Sequence, residues 1–324
     1  MIRVAPLNIP FSRRKQTAAV LFVCMLPLFL IWINLAFIFN PLLWWIYGTY
    51  LGYIYIYDRR ASVHGNKRSK WFKSLPLFAH FRDYFPSKLI VKEKLQPGKP
   101  YFMIMHPHGI IGMSAWSNIF NETEGTLEDQ CPGVEVRFVT LAVQFVIPFY
   151  RELIKALGLI DSSADTIRTN LNKNRAVAVM VGGAEESLYA RPGPESIILS
   201  KRKGFVKIAL QTGASLVPIY GFGENELYSQ AVNPDGSLLR RIQENLKSIT
   251  SFALPMFYGR GIFLYDYGLL PRRVPLTTVV GKPIPVPKIK EPTDADIEKY
   301  HNIYKEKLLE LYSEHKGTAE LTIL

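Results

Sequence analysis

The chain has 324 residues, enough for one large domain or two small ones, and a formal net charge of +12. Such a balance suits anionic membrane surfaces or phosphorylated co-substrates. Nucleic acid fits least, because the first basic cluster abuts a long apolar segment. Two cysteines, Cys24 and Cys131, exclude a disulfide framework and suit a cytosol-facing domain.

Residues 1–16 read as a basic cytosolic N-terminus. From Gln16 to Tyr57 no residue is charged. Residues 17–39 are long enough to cross a hydrocarbon core of about 30 Å as a helix. Asn40-Pro41 interrupts, and residues 41–57 form a second, shorter apolar run suited to a tilted or re-entrant path. Arg13, Arg14 and Lys15 precede the pair; Arg59, Arg60, Lys67, Arg68 and Lys70 follow it. Positive flanks on both sides predict a transmembrane helical hairpin over 17–57, with both ends in the cytosol. A signal peptide would have a shorter apolar core and a small-residue cleavage site, and neither is evident.

Residues 58–74 read as a basic connector, and 75–324 as one domain. Apolar runs at 101–105, 136–141, 176–181, 215–219 and 276–280 predict strands. Segments 146–157, 165–172 and 204–212 predict helices between them, with Gly213 ending the last. The alternation argues an α/β sheet with helices on its faces. Thr293 and Asp296 make a capping-box-like start for an amphipathic helix over 293–316, whose face is Ile297, Tyr300, Tyr304, Leu308 and Leu311.

His106-Pro107-His108-Gly109 directly follows the first strand. Imidazole titrates near neutrality and suits proton removal from an alcohol. The carboxyl end of a strand is where α/β folds place their sites, and Gly109 allows a tight turn there. The run 110–117 is expected to open a helix whose first amides favour an anion or an oxyanion. Zinc would need ligands that no nearby cluster supplies, so no metal is expected. Two histidines in satisfied core positions are the plainer alternative. Val181-Gly182-Gly183-Ala184-Glu185-Glu186 follows another strand, and one of its carboxylates could orient a histidine. Lys201-Arg202-Lys203-Gly204 enters a helix and suits phosphate, although a charge run is more often a solvated face.

Taken together these blocks resemble the type-two diacylglycerol acyltransferase family, which includes monoacylglycerol and wax-alcohol acyltransferases. The resemblance extends from Arg13-Arg14-Lys15 through Tyr84-Phe85-Pro86, the two stretches above and Arg202-Lys203-Gly204-Phe205. It continues to Phe222-Gly223-Glu224-Asn225, Gly259-Arg260-Gly261 and Val279-Val280-Gly281-Lys282-Pro283. It implies a glycerolipid-acyltransferase-like mixed sheet flanked by helices. It implies acyl transfer from acyl-CoA, a co-substrate, to an acylglycerol hydroxyl, with no permanently bound cofactor. The family's setting is the endoplasmic reticulum membrane, multi-pass, and the lipid droplet. Its active site is the tetrapeptide, and its plant members carry Glu where His106 stands, so His108 is the expected base. His106 and Gly109 complete the motif. The wider glycerolipid acyltransferases orient their histidine with an Asp five residues on. Ile111 and Met113 stand at those positions here, which leaves Glu186 as the substitute.

Arg202, Lys203 and Gly204 are the expected CoA phosphate contacts. The acyl chains are expected along the anchor and residues 141–160. The block at 292–297 resembles the diacylglycerol branch, so triacylglycerol is the expected product; monoacylglycerol or a long-chain alcohol are alternative acceptors. A membrane-anchored lipid-binding scaffold is the non-enzymatic alternative. Self-association is left open, and the Asn121-Glu122-Thr123 sequon is expected to stay unmodified in a cytosolic domain.

Overall fold

The computed structural model of the chain describes residues 3–6, 8–58, 61–65, 67–231, 236–250, 255–315 and 320–324. Arg59 and Arg60 of the basic flank, and Lys316 at the end of the tail segment, lie outside the described residues. In chain order the strands are β1 (Ser87–Val91), β2 (Tyr101–His106), β3 (Val136–Thr140), β4 (Leu159–Asp161), β5 (Ala176–Met180), β6 (Glu195–Ile197) and β7 (Ser215–Phe222), followed by β8 (Ser229–Gln230), β9 (Phe257–Tyr258), β10 (Leu276–Val280) and β11 (Leu321–Ile323). Seven of them form one mixed sheet in the order β1-β10-β7-β2-β5-β3-β4. Every neighbouring pair is parallel except β10 and β7.

All six residues of the central strand β2 are buried. A strand covered on both faces needs apolar side chains at every position, and the run Tyr101-Phe102-Met103-Ile104-Met105 supplies them. Phe102 and Ile104 face one layer of helices; Tyr101, Met103 and Met105 face the other. The mixed α/β sheet flanked by helices therefore stands as expected. Each expected strand is present with its ends shifted by a few residues at most.

The helices are α1 (Phe11–Phe39), α2 (Trp44–Ile56), α3 (Ala61–His64), α4 (Lys70–Lys73), α5 (Pro76–Tyr84), α6 (Met113–Ala115), α7 (Leu127–Gln130), α8 (Tyr150–Ala156), α9 (Ala164–Leu171), α10 (Gly183–Glu186), α11 (Gly204–Thr212), α12 (Leu238–Thr250) and α13 (Asp294–His315). Gly213 ends α11 at φ 72°, as expected of a left-handed cap. Thr293 and Asp296 exchange hydrogen bonds at the start of α13. The expected helix over 146–157 begins only at Tyr150, because Phe149 sits at φ 61° and breaks it. That strained backbone is held by its N–H, which donates to Tyr50 Oη at 3.0 Å, and by stacking of the two rings 5.0 Å apart.

Helix α1 is apolar and long enough to cross a membrane. It leans on the domain along one side. Val20 packs with Phe81, Tyr84 and Phe85, and Asn34 Nδ2 donates to the Pro148 carbonyl at 3.0 Å. Those positions are about four turns apart, so α1 touches the domain over roughly 20 Å. Its opposite face exposes Leu28, Phe29, Trp32, Leu35 and Phe39. Helix α2 spans only 13 residues, about 20 Å, which is short of a hydrocarbon core. Asn34 also ties the two helices together, accepting from Tyr47 Oη at 2.9 Å.

Asp58, at the exit of α2, is buried and accepts from Arg151 at 3.0 Å and from Lys155. Both cations are buried on α8. Asp58→Ala leaves both cations with Glu152 as their remaining anion and is expected to destabilise the chain by about 1–3 kcal/mol in denaturant unfolding. An unchanged midpoint would show that the cluster does not fasten α2 to the domain.

Candidate active site

Strand β2 ends at His106, and the chain turns at Pro107. The turn separates the two imidazoles. His106 keeps the alternation of its strand and points into the layer that holds α13. There its Nε2 lies 3.1 Å from Tyr304 Oη, and the residue is 1% exposed. Its Nδ1 has no partner among the described residues. Burial pulls this imidazole down to about 3, so it stays neutral at any working pH. The enclosed ring braces the end of β2 against Tyr304 of α13. The two histidines are not brought into mutual contact.

His108 lies beyond the edge of the sheet and is half-buried. Burial lowers its basicity, and the neighbouring Gly109 carbonyl, 3.1 Å from Nδ1, acts the other way. A proton on Nδ1 directed at that carbonyl leaves Nε2 as the nitrogen with the lone pair. Two buried carboxylates hold the backbone on either side of it. Glu186 accepts the N–H of His108 itself and, on its other oxygen, the N–H of Ile198 at 2.7 Å. The expectation that Glu186 orients the imidazole ring therefore needs correcting: it grips the main chain of His108. Burial pushes the Glu186 carboxyl up to about 7, against the two amides that favour its charged form.

Glu224 is the second carboxylate, and sequence reasoning assigned it no step. It accepts from the N–H groups of Met113 at 2.9 Å and Ser114 at 2.7 Å. The helix expected over 110–117 does start here, at α6 and the π-helical turn Trp116–Phe120. Its first amides are occupied by Glu224, so they are not open to an oxyanion. Burial raises the Glu224 carboxyl above its ordinary range. Its signal in the sequence was the block Phe222-Gly223-Glu224-Asn225.

Glycine is required at two positions by these carboxylates. Gly109 adopts φ +60°, and a Cβ there would lie 2.5 Å from Glu224 Cγ. A Cβ on Gly182 would lie 2.0 Å from Glu186 Oε2. Tyr220 and Asn225 complete the polar floor: each donates to Glu195 Oε2, at 2.9 and 3.0 Å.

The basic block reaches the same edge. Helix α11 runs antiparallel to β7, so its first residue, Gly204, stands at the carboxyl end of the central strands. Arg202 pairs with Glu185 at 2.8 Å, one residue from Glu186, and Lys203 pairs with Glu298. Both cations are exposed, where ion pairs contribute only about 0–1 kcal/mol and exchange readily for another anion. Among the described residues no cluster of three or more His, Cys, Asp or Glu is placed to hold a metal ion. A cleft of about 160 Å³ lined by Gln96, Lys99, Glu135 and Arg175 lies at the opposite end of the sheet, and its charged lining does not suit an acyl chain.

Residues 36–322 match the family described as Diacylglycerol acyltransferase. The chain is 45% identical to Diacylglycerol O-acyltransferase 2 of Dictyostelium discoideum, over 98% of this chain and 97% of that one. It is 41% identical to 2-acylglycerol O-acyltransferase 1 of Bos taurus, over 98% and 96%. It is also 41% identical to human Diacylglycerol O-acyltransferase 2, over 90% and 76%. The chain belongs to the diacylglycerol acyltransferase family and is an O-acyltransferase. Among solved structures it is similar to the 1-acyl-sn-glycerophosphate acyltransferase PlsC of Thermotoga maritima, with TM-score 0.42 and 10% identity over 95% of this chain and 100% of that one, a distance at which the likeness bears no weight.

Two outcomes test this geometry. Gly109→Ala forces Glu224 aside and is expected to abolish acyl transfer while the far-ultraviolet spectrum stays native; full activity would show that the turn tolerates a side chain. The Glu186 carboxyl is raised on folding, so the folded protein holds its proton from about pH 4.5 to 7 while the unfolded chain releases it. Its contribution to stability therefore falls as pH rises through that window, by about 3 kcal/mol in all. Glu186→Gln should flatten the corresponding decline in melting temperature. An identical slope in parent and variant would contradict the assignment.

Proposed function

We propose that the chain is an acyl-CoA:diacylglycerol O-acyltransferase that makes triacylglycerol by direct transfer, with His108 as general base. The observation that carries the assignment is the separation of the two imidazoles: His106 is sealed against Tyr304, and His108 stands at the rim with its backbone gripped by Glu186.

The acceptor hydroxyl gives its proton to His108 as its oxygen attacks the thioester carbonyl. A C–O bond forms, the C–S bond breaks, and the CoA thiolate leaves, taking the proton back from the imidazolium. The Gly109 N–H is the backbone donor for the oxyanion. Glu186 and Glu224 act as positioning residues. Arg202 and Lys203 exchange their carboxylate partners for CoA phosphates beside the start of α11. Holding both substrates at one rim lowers the barrier by about 7–11 kcal/mol, more than a base worth about 10²–10⁴-fold.

Helices α1 and α2 form a re-entrant hairpin in the endoplasmic reticulum membrane, both ends cytosolic, and the acyl chains lie against it and residues 141–160. Support comes from the outward apolar face of α1, the shortness of α2, and the aromatic seat of Phe149 among Phe37, Tyr47 and Tyr50. Asn121 is fully buried and its amide donates to the Trp116 carbonyl at 2.7 Å; glycan at this sequon in cells would contradict the cytosolic placement of the domain.

Labelled oleoyl-CoA offered with diacylglycerol, monoacylglycerol or a long-chain alcohol decides the acceptor, with triacylglycerol expected as the main product. Preferential wax ester or diacylglycerol synthesis would overturn that choice. His108→Ala should lower kcat by about 10²–10⁴-fold with membrane association retained; equal activity in variant and parent would remove the base.

A further inference from the structure

A second apolar surface lies uncovered where α1 begins. The segment after β9 exposes Ile262, Phe263, Leu264, Tyr267 and Leu269, and Phe263 is 75% exposed. Tyr258 and Tyr267 stack at 5.6 Å with both rings in the open. Helix α12 presents the same kind of face. Leu238 and Ile242 are exposed, while Arg240 and Gln243 are buried, Arg240 donating to Tyr189 Oη at 2.7 Å. A surface helix on a water-soluble domain buries its apolar side; α12 leaves Leu238 and Ile242 exposed beside Arg241. It springs from the same ribbon, because the Ala231 N–H donates to the Met256 carbonyl at 2.8 Å and closes the segment that contains it.

This surface is joined to the membrane helix. The Ala5 N–H donates to the Phe263 carbonyl at 2.8 Å, and the Tyr265 N–H donates to the Arg3 carbonyl at 2.9 Å. Val4 bridges to Leu264. Arg273 donates to Gln16 Oε1 at 2.5 Å. The chain then enters α1, whose first turns carry Arg13, Arg14 and Lys15.

We propose that the 256–269 segment and the outward face of α12 form a second membrane contact. They dip into the phospholipid leaflet that α1 enters. The inference rests on the membrane reading above and deepens it. A leaflet fits for three physical reasons. The segment is tied by main-chain hydrogen bonds to the stretch that leads into α1. Tyrosines and large aliphatics together suit the interfacial layer. Cations at the start of α1 meet headgroup phosphate. The ribbon's strand β8 begins at Ser229, just past the Glu224 turn, so the contact seats the carboxyl edge of the sheet at the lipid surface where a dissolved acceptor would arrive.

The test uses the full chain with Cys24→Ala and Cys131→Ala. A single spin label is placed at Phe263→Cys, at Trp32→Cys on α1, or at Lys99→Cys on the far edge of the sheet. Each protein is reconstituted in vesicles of phosphatidylcholine and phosphatidylserine. Power saturation then compares access to dissolved oxygen, enriched in the bilayer, with access to a water-soluble nickel chelate. Positions 263 and 32 are expected to favour oxygen, and 99 the chelate. If 263 behaves like 99 while 32 favours oxygen, the anchor stands and this inference fails. If 32 also favours the chelate, the anchor reading fails with it. Shielding of 263 that rises with protein concentration and not with lipid assigns the surface to a second copy and also overturns the inference. Phe263→Asp combined with Leu269→Asp should raise KM for acceptor in vesicles about tenfold or more and leave kcat in detergent micelles unchanged. An unaltered KM on vesicles would contradict the proposal.

Discussion

Two buried carboxylates gripping main-chain amides are the constraint on which this site depends. Glu186 takes the N–H of His108, and Glu224 takes those of Met113 and Ser114. A carboxylate accepting amide hydrogen bonds in a buried setting fixes backbone position more firmly than a neutral acceptor does. The loop from 108 to 114 is thereby clamped at both ends. The stretch from 108 to 112 gains its geometry from that clamp, since it has no helix or strand of its own there. The glycines at 109 and 182 follow as a consequence: a methyl group at either would displace the carboxylate beneath it.

The alternation of β2 explains why the two histidines of the motif part company. His106 belongs to the last position of β2 and inherits its alternation, which sends it to the buried layer and to Tyr304. His108 falls beyond the strand and is free of that alternation. Burial lowers the basicity of His106 and favours its neutral form. The basic block arrives at the same rim because α11 runs antiparallel to β7 and begins where the parallel strands end. The basic block, His108 and the two carboxylates are thus gathered by topology at one edge of the sheet.

Much of this was legible in the chain itself. The strands at 101–105 and 176–180 stand out because a sheet covered on both faces demands unbroken apolar runs. Helix α11 was legible at both ends, from Gly204 and Gly213. The short strands β4 and β6, three residues each, carry too few positions for a period to show. The contacts that make the site escaped notice for a different reason. Tyr304 meets His106 from 198 residues away, and Glu224 meets Met113 from 111 residues away; no local pattern encodes such pairs. Phe149 broke an otherwise helical run because its aromatic seat on Tyr50 outweighs the cost of a left-handed backbone. Glu186 was singled out as a partner for His108, but which atom it would hold depended on the turn at Pro107.

The most direct measurement is a structure of the full chain in lipid with a thioether analogue of acyl-CoA and diacylglycerol bound. The account predicts the acceptor oxygen about 3–3.5 Å from the carbon that stands in for the thioester carbonyl. A ring nitrogen of His108 should lie within about 2.6–3.2 Å of that oxygen, with His106 still against Tyr304. Substrates bound with the acceptor hydroxyl at His106, or at an edge of the sheet remote from His108, would contradict it.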